Sequence, residues 1–242
     1  MRRSRDDSRG AAPGRGLPRI IYEDGDIVVL EKPAGLSVIA PESGARRTVL
    51  DFVTARLRRR NPRARAAVVH RLDRDTSGVM VVACNANAKK TLMDGWADFA
   101  RERRYVALVE GDMGAPEGRL DSWIAEAGPS RMRTARPGER GAQRALGSWT
   151  LLGAGDGFSL VEVELETGRR HQIRVQLAAL GHPVAGDERY GSRRNPGGRL
   201  MLHATTLELV HPVTREVMRF ESHLPPSFAA AVAGRNRGPR RV

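Results

Sequence analysis

Charged side chains that could do chemistry stand between two apolar segments in VVHRLDRDTSGVMVVA, residues 68–83. The apolar flanks are typical of buried strands, and the DTSG that joins them favours a turn. We therefore expect Asp73 at the end of a strand, on a loop of the kind on which functional sites are often built. Asp73 and Asp75 could form a pair that cleaves glycosidic bonds, but two acids on one tight turn are poorly placed to flank a bond.

A structural explanation of the same turn is also open. The side chains of Asp73, Asp75 and Thr76 can hydrogen-bond the backbone of their own turn, which is a common use of aspartate at such positions. Local residue types alone favour this explanation over a catalytic one.

The charge balance of the chain predicts a polyanionic partner. The formal net charge is +13 and the sequence pI is about 11.2, which favours nucleic acid or an anionic membrane surface. Of the 41 basic residues, all but Lys32, Lys89 and Lys90 are arginines. Such a skew can partly reflect genome base composition, but the planar guanidinium also suits phosphate. Nucleic acid is the partner that we expect.

Several classes of protein are disfavoured by what the sequence lacks. No apolar run approaches the roughly 20 residues that span a bilayer, and the N-terminus has no apolar signal core. The single cysteine, Cys84, rules out an internal disulfide and fits a reducing cytoplasm. No Cys or His pair has zinc-type spacing, and no glycine-rich phosphate motif occurs, so we expect no metal and no nucleotide cofactor.

The pattern of apolar residues and turn signals predicts many strands and few helices. Asp24-Gly25 should form a hairpin turn, and Thr48 should cap a helix with Asp51 as the capping-box acid. Without regular alternation of strand and helix, we expect an α+β fold with a mixed, mostly antiparallel central sheet and flanking helices and loops. Strands are expected at 20–22, 27–30, 66–69, 79–84, 104–111, 145–152, 158–167, 200–212 and 216–225, helices at 48–60, 85–100 and 170–181, and a long loop at 128–144.

Both ends of the chain differ in composition from its middle. Residues 1–18 and the tail at 231–242 are rich in Arg, Gly or Pro and lack an apolar period, so we expect two disordered basic segments. A single domain should occupy residues 19–230. Whether the basic ends bind phosphate or only solubilise the chain is open.

Four segments resemble, in order, the motifs of the RluA family of RNA pseudouridine synthases. The resemblance covers about residues 19–226, and the nine-residue charged loop together with the GRxHQIR pattern is highly specific. The four segments are IIYEDGDIVVLEKPAGLSV (20–38), HRLDRDTSG (70–78), RRYVALVEG (103–111) and ETGRRHQIRVQLAALGHPVAGDERYG (166–191).

The resemblance implies a pseudouridine synthase-like catalytic domain and a cofactor-free reaction. The N1–C1′ bond of a uridine in RNA breaks, the base rotates and a C5–C1′ bond forms. The family's catalytic carboxylate matches Asp73, which would attack either C1′ or C6. Its arginine matches Arg174, whose charge would keep the carboxylate ionised in a water-poor pocket. Its tyrosine matches Tyr105, which would stack on the flipped base and help to move the C5 proton.

Further residues near these motifs are candidates for substrate binding. Arg71 matches a family arginine associated with the RNA where the base has flipped out. His70 is a candidate, although a packed loop histidine is the favoured explanation. Lys32 would line the cleft or touch phosphate, or else be a solvated turn lysine. The remaining candidates are Arg169, His171 and Gln172, of which the last two should brace the site.

Departures from the family bear on the choice of RNA. Many relatives carry an S4-type RNA-binding domain before the catalytic part, and we expect that domain to be absent here. The family's Ala-x-Thr before the central strand is Ala145-Leu146-Gly147, and Arg170 replaces a small or hydroxylated residue.

The function that the sequence predicts is isomerisation of specific uridines in structured RNA, either ribosomal or transfer RNA, by a monomeric cytoplasmic enzyme. The alternative is a non-catalytic RNA-binding or RNA-folding protein on the same scaffold. The intact set of Asp73, Tyr105 and Arg174 argues against that alternative.

Overall fold

The computed structural model describes residues 16–40, 47–128 and 130–233. The disorder expected for the two ends therefore falls almost entirely outside the described residues, since only 16–18 of the first segment and 231–233 of the last are included. Within the described ranges, no helix has the length and apolar composition needed to cross a bilayer.

Eleven strands and five α-helices make up the part of the chain that the structure describes, and a short 3-10 turn lies at Glu188–Tyr190. The strands are β1 (Arg19–Glu23), β2 (Ile27–Lys32), β3 (Ala67–Val68), β4 (Ser77–Ala83), β5 (Ala100–Glu110), β6 (Glu117–Glu126), β7 (Met132–Ala135), β8 (Gln143–Gly155), β9 (Phe158–Leu165), β10 (Leu202–Val210) and β11 (Val217–Glu221). The helices are α1 (Val49–Leu57), α2 (Ala86–Asp94), α3 (Trp96–Phe99), α4 (Gln172–Ala179) and α5 (Pro226–Val232).

The strands form one mixed sheet in the order β1-β2-β4-β10-β5-β9-β8-β6-β7, with β11 added to β10 and β3 added to β4. All named strand pairs are antiparallel except β4 with β10. The α+β fold with a mostly antiparallel sheet is therefore confirmed.

Most local predictions are confirmed. Thr48 caps α1 and forms a capping box with Asp51, and β1 and β2 pair across the Asp24-Gly25 turn. The single helix expected at 85–100 is instead two helices, α2 and α3, which meet at Gly95. The long loop expected at 128–144 is wrong in part, because it contains β7 and the first residues of β8. Neither β6 nor β7 was among the predicted strands; β7 is only four residues long and is held by pairing with β6.

Three hydrophobic clusters lie in the part of the chain that the structure describes, and the two larger ones meet at the centre of the sheet. The smallest joins β6, β7 and β8 to α4 through Ile124, Met132, Ala145 and Val175. Of the two larger clusters, the first packs β2 and β4 against α1 and α2, and the second packs β5 and β9 against α4 and α5. They join where β4 runs parallel to β10 over only two residue pairs. At this point Gly78 has φ +116°, and a Cβ there would lie 2.1 Å from the carbonyl oxygen of Ala204. Only glycine allows the two strands to approach so closely.

Candidate active site

The charged loop at 70–76 enters β4 at the junction of the two larger clusters. Its backbone is held internally, since the Thr76 N–H donates to the Asp73 carbonyl at 3.2 Å. It is also held externally, because the N–H of Gly35 and the ammonium of Lys32 both donate to the Arg74 carbonyl, at 2.9 and 2.8 Å. Asp73 thus lies on a loop that is braced through its backbone, which leaves its carboxylate available.

Lys32 is fully buried beneath this loop. Its ammonium donates to the carbonyl oxygens of Pro33, Leu36 and Arg74 at 2.8–2.9 Å. Burial lowers the pKa of Lys32 to about 7, against the opposing charges of Asp75 and Asp73. Lys32 is therefore neither a solvated turn lysine nor a residue that lines the cleft or could touch phosphate, because the side chain is fully buried and its ammonium is enclosed by three carbonyl oxygens.

Arg174 reaches Asp73 from helix α4, across 101 residues of sequence. Its Nη1 donates to Asp73 Oδ2 at 2.8 Å, while its Nε and Nη2 donate to the two oxygens of Asp187 at 2.6 and 2.8 Å. Burial opposes the charge, but the hydrogen bonds and charges of Asp187 and then Asp73 raise the pKa of Arg174 above its ordinary value. The two segments that the sequence analysis paired are brought together.

His171 precedes α4 in the left-handed conformation, with φ 53°. Its Nε2 lies 3.7 Å from Asp73 Oδ1, which is too far for a hydrogen bond, and its Nδ1 lies 2.7 Å from the hydroxyl of Tyr190. Burial lowers the pKa of His171 to about 4, against the pull of Asp73. The ring is therefore neutral at neutral pH.

Tyr105 lies on β5, between β10 and β9, opposite Ala204 and Val163. Its ring lines the same cavity as Asp73 and Arg174. Burial raises the pKa of Tyr105 to about 12. The side chain is therefore an uncharged phenol at the edge of the cavity.

These side chains surround a small cavity of about 60 Å³ that opens into a larger cleft of about 720 Å³. Asp73, Arg71, His171 and Arg174 line both. The smaller cavity is completed by Leu72, Thr76, Tyr105, Leu165, Arg169, Gln172, Ile173 and Leu202. Its lining combines the apolar side chains of Leu72, Leu165, Ile173 and Leu202 with arginines, a composition that fits a flat, neutral ring attached to a phosphate backbone.

The remaining predicted residues fall into two groups. Arg71 and Arg169 are exposed at the mouth of the cavity. Gln172 is buried, and its amide bonds Thr167, the Arg169 N–H and the Leu146 carbonyl, as expected for a bracing residue.

His70 does not line either cavity. It stacks on Trp96 with ring centres 4.6 Å apart, and its Nε2 accepts a hydrogen bond from the Val81 N–H at 3.0 Å. Burial lowers the pKa of His70 to about 3. This is the packed loop histidine that the sequence analysis favoured.

Three side chains outside the predicted set also shape the site. Asp187 holds Arg174, and Tyr190 contacts His171; both stand in the GDERYG segment, whose family resemblance was the only available signal. Arg199 lines the cleft and donates to Ser77 Oγ at 2.6 Å, at the start of β4. Nothing in the GGRL context of Arg199 indicates this contact.

Comparisons with known proteins agree with this geometry. A family model described as RNA pseudouridylate synthase matches residues 26–179. "Uncharacterized RNA pseudouridine synthase YjbO" from Bacillus subtilis is 36% identical over 218 residues, which cover 90% of this chain and 76% of that relative. "Ribosomal large subunit pseudouridine synthase D" from Zymomonas mobilis is 32% identical over 220 residues, covering 85% and 69%.

Solved structures give the same answer. The human "RNA Pseudouridylate Synthase Domain Containing 1" is 27% identical with a TM-score of 0.69, covering 92% of this chain and 90% of that one. Human "RNA Pseudouridylate Synthase Domain Containing 4" is 25% identical with a TM-score of 0.71, covering 88% and 91%. Sequence and fold together show that the chain belongs to the RluA family of RNA pseudouridine synthases.

Proposed function

We propose that this pseudouridine synthase uses Asp73 as its nucleophile on a uridine of structured ribosomal RNA. The observation that carries the proposal is the asymmetry of the carboxylate. Oδ2 is held by Arg174 at 2.8 Å, whereas no hydrogen bond from the described residues reaches Oδ1, which lies 3.7 Å from His171 Nε2. One oxygen is therefore anchored and the other is free to react.

The reaction needs only this carboxylate, the base and a proton acceptor. In one route, Asp73 attacks C1′ and uracil leaves with the N1–C1′ electron pair; C5 then attacks C1′ and expels the carboxylate. In the other, Asp73 adds to C6, the N1–C1′ bond breaks, C5 forms the new bond to C1′, and the carboxylate is then eliminated from C6. In both routes the C5 hydrogen leaves as a proton and N1 regains one, so atoms and charge balance without a redox partner.

Tyr105 is proposed to stack on the flipped base. Its ring lines the cavity beside Asp73. Because burial raises the pKa of Tyr105 to about 12, its hydroxyl enters the reaction as a neutral phenol. It can donate a hydrogen bond to the base or pass a proton in concert with another group, but it does not act as a standing phenolate base.

The arginines at the mouth are proposed to hold the RNA backbone. Arg71, Arg189 and Arg199 line the cleft, and none has a carboxylate partner within the ranges described. Flipping a base costs a few kcal/mol. Arg71 would fill the vacated stack, while the others neutralise phosphates, so affinity should fall steeply with salt.

The preference for ribosomal RNA rests on the names of relatives such as that from Zymomonas mobilis. A monomer is proposed because Asp73, Tyr105 and Arg174 come from one chain.

The experiment combines target mapping with a direct assay. Pseudouridines are mapped across total RNA from cells with and without the protein, and the purified protein is then given the candidate RNA carrying tritium at uridine C5. We expect a site lost in ribosomal RNA and tritium released by native protein but not by Asp73→Asn. A site lost in transfer RNA would correct the substrate, and absence of tritium release would favour the RNA-binding alternative.

A further inference from the structure

The hydroxyl of Tyr190 joins the catalytic region to a separate strand. It accepts a hydrogen bond at 2.9 Å from the backbone N–H of Met132, the first residue of β7. It also lies 2.7 Å from Nδ1 of His171, at the start of α4. The ring contacts the guanidinium of Arg174, whose central carbon is 5.0 Å from the ring centre. No step of the proposed reaction uses Tyr190 directly.

The contacts of the Tyr190 hydroxyl favour one direction for its hydrogen. The Met132 N–H can only donate, so the Tyr190 oxygen accepts there. The single hydroxyl hydrogen is then available for His171 Nδ1. If the Tyr190 oxygen instead accepted from an Nδ1–H as well, its own hydrogen would have no acceptor among the described residues, so the arrangement with Nδ1 as acceptor is favoured. In a neutral imidazole only one nitrogen carries hydrogen, so that hydrogen lies on Nε2, the atom facing Asp73 Oδ1 at 3.7 Å.

The ring is neutral because of its surroundings. Burial lowers the pKa of His171 to about 4; Asp73 opposes this, and the cations Arg174, Arg170 and Arg189 add to it. The tautomer, and not the charge, therefore decides what His171 presents to the carboxylate. An N–H attracts the free oxygen of Asp73, whereas a lone pair would repel it.

We propose that Tyr190 is a positioning residue for the nucleophile: its hydroxyl holds His171 in the tautomer whose Nε2–H faces the free oxygen of Asp73. The inference rests on the proposed role of Asp73. It also couples that oxygen to the hairpin of β6 and β7, since the same hydroxyl holds the Met132 N–H. Arg189 adds a second tie by donating to the carbonyl of Ser130 at the hairpin tip.

The test removes the hydroxyl and keeps the ring. Tyr190→Phe preserves the contact with Arg174 but leaves His171 Nδ1 without its donor. The substitution removes both hydrogen bonds of the hydroxyl, the one to His171 Nδ1 and the one from the Met132 N–H. We expect kcat to fall about fivefold to tenfold, with KM changed less than about twofold, because no residue proposed to contact the RNA is altered. Tyr22→Phe is the matched control, since Tyr22 likewise donates its hydroxyl to one side chain, Asp24, far along the sheet; its kcat should equal that of native protein.

Nitrogen-15 NMR of the histidine rings gives a readout independent of activity. Native protein should show hydrogen on Nε2 of His171, and Tyr190→Phe should show a mixture that includes the Nδ1–H form. The resonance is assigned by its loss in His171→Asn, a substitution that suits the left-handed backbone at this position. Native protein with hydrogen on Nδ1, or an unchanged tautomer in Tyr190→Phe, would overturn the inference.

The double variant tests whether Tyr190 acts through His171. In the His171→Asn background, adding Tyr190→Phe should lower kcat less than twofold. A full fivefold to tenfold loss of kcat in that background would mean that Tyr190 acts through the hairpin of β6 and β7 or through packing, and would overturn the inference. So would a Tyr190→Phe protein that has the shifted tautomer but native kcat. If native protein releases no tritium, the proposed function fails on that result alone, whereas the NMR result fails or holds separately.

Discussion

Two aspartates in this molecule have nearly the same neighbours, yet we propose a catalytic use for only one of them. Asp24, in the turn between β1 and β2, contacts His211 and Tyr22. Asp73, in the loop before β4, faces His171, which in turn contacts Tyr190. In both cases the histidine accepts a hydrogen bond at Nδ1 and directs Nε2 to the carboxylate, because two backbone N–H groups occupy Nδ1 of His211.

The difference lies in how many hydrogen bonds each carboxylate receives. Oδ1 of Asp24 accepts from the N–H groups of Asp26 and Ile27 at 2.8 Å, and Oδ2 accepts from Tyr22 and His211 at 2.8 and 2.9 Å. Burial works against the charge, but the Ile27 and Asp26 N–H groups, then Tyr22 and His211, lower the pKa of Asp24 below its ordinary value.

A carboxylate held in this way is a structural tie between two hairpin turns. Asp24, Asp26 and His211 have the residue types and spacing of a cation site, yet both oxygens of Asp24 and both ring nitrogens of His211 are already engaged. By contrast, no described residue donates a hydrogen bond to Oδ1 of Asp73, and this residue lines a cavity. We infer that a carboxylate here is reactive only where the fold leaves one of its oxygens without a hydrogen-bond partner. Matched substitutions of Asp24 and Asp73 test this contrast.

The largest contrast is expected from changing each carboxylate to an amide. Asp73→Asn should lower turnover by about 10⁴-fold or more, because the amide is not a nucleophile, while RNA binding and folding are kept. Asp24→Asn should leave turnover within about twofold but reduce the free energy of unfolding by about 1–3 kcal/mol, since one oxygen loses its partners. Tritium release and urea unfolding of both variants measure the two effects.

Each result has a clear contrary outcome. Native turnover in Asp73→Asn would remove this residue from the chemistry. A loss of turnover in Asp24→Asn without loss of stability would mean that the tie at the hairpin turns serves the reaction after all.

The next contrast concerns the arginine that anchors Asp73. Arg174→Lys keeps the charge but cannot serve Asp73 and both oxygens of Asp187 at once. We expect turnover to fall about 10²-fold, as a small misplacement of a catalytic group can do. Arg144→Lys is the control, because Arg144 grips Asp121 with the same two-pronged geometry on an exposed surface. Single-turnover rates on saturating RNA compare the two variants. Equal rates for both would mean that the pairing of Arg174 with Asp73 has no special role in the reaction.

The residue types at the site could be predicted from sequence, but their surroundings could not. The pairing of Asp73 with Arg174 came from family motifs that are 101 residues apart. The burial of Lys32 could not be foreseen, because its acceptors are carbonyl oxygens, which every residue has. Likewise, the hydroxyl of Tyr190 meets β7 through a backbone N–H that leaves no trace in the side-chain pattern.

The fold shows the same division. Capping boxes and hairpin turns are local, and Thr48 with Asp51 and the Asp24-Gly25 turn formed as predicted. Strand β7 has little local signal, since only Thr134 among its four residues is β-branched, and it forms because β6 offers an edge to pair with. Elements that depend on a distant partner are the ones that sequence patterns miss.

Lys32 adds to the comparison of Asp24 with Asp73, because it stabilises the Asp73 loop through the Arg74 carbonyl and not through the Asp73 carboxylate. In the folded protein the pKa of Lys32 is about 7, against an ordinary value of 10.5. Between those values the unfolded chain binds one more proton than the folded chain, so this group makes stability rise with pH, by up to about 1.4 kcal/mol per pH unit. Below pH 7 the lysine is charged in both states and contributes no slope.

Urea unfolding of native protein and Lys32→Met between pH 6 and pH 10 isolates this effect. The difference between their unfolding free energies should grow in favour of the native protein from pH 7 upward. Lys89→Met, which changes an exposed lysine on α2, should follow the native curve. Parallel curves for Lys32→Met and native protein would mean that the buried lysine keeps its proton throughout.

The smallest effect is expected at Arg71, which lines the cavity beside Asp73. Asp24 has no corresponding arginine among its hydrogen-bond partners in the described part of the chain. Arg71→Ala should reduce kcat/KM about tenfold on a folded RNA stem-loop and hardly at all on a short unpaired oligonucleotide, because only the folded RNA leaves a gap in its base stack. Arg74→Ala is the control: this arginine stands on the same loop but pairs with Asp75 at 3.0 and 3.1 Å. Its removal should affect both RNAs alike and weakly, since exposed ion pairs contribute little. An equal loss of kcat/KM on both RNAs in Arg71→Ala would mean that Arg71 contacts phosphate. Asp73 would then react with a flipped base whose place in the stack Arg71 does not fill.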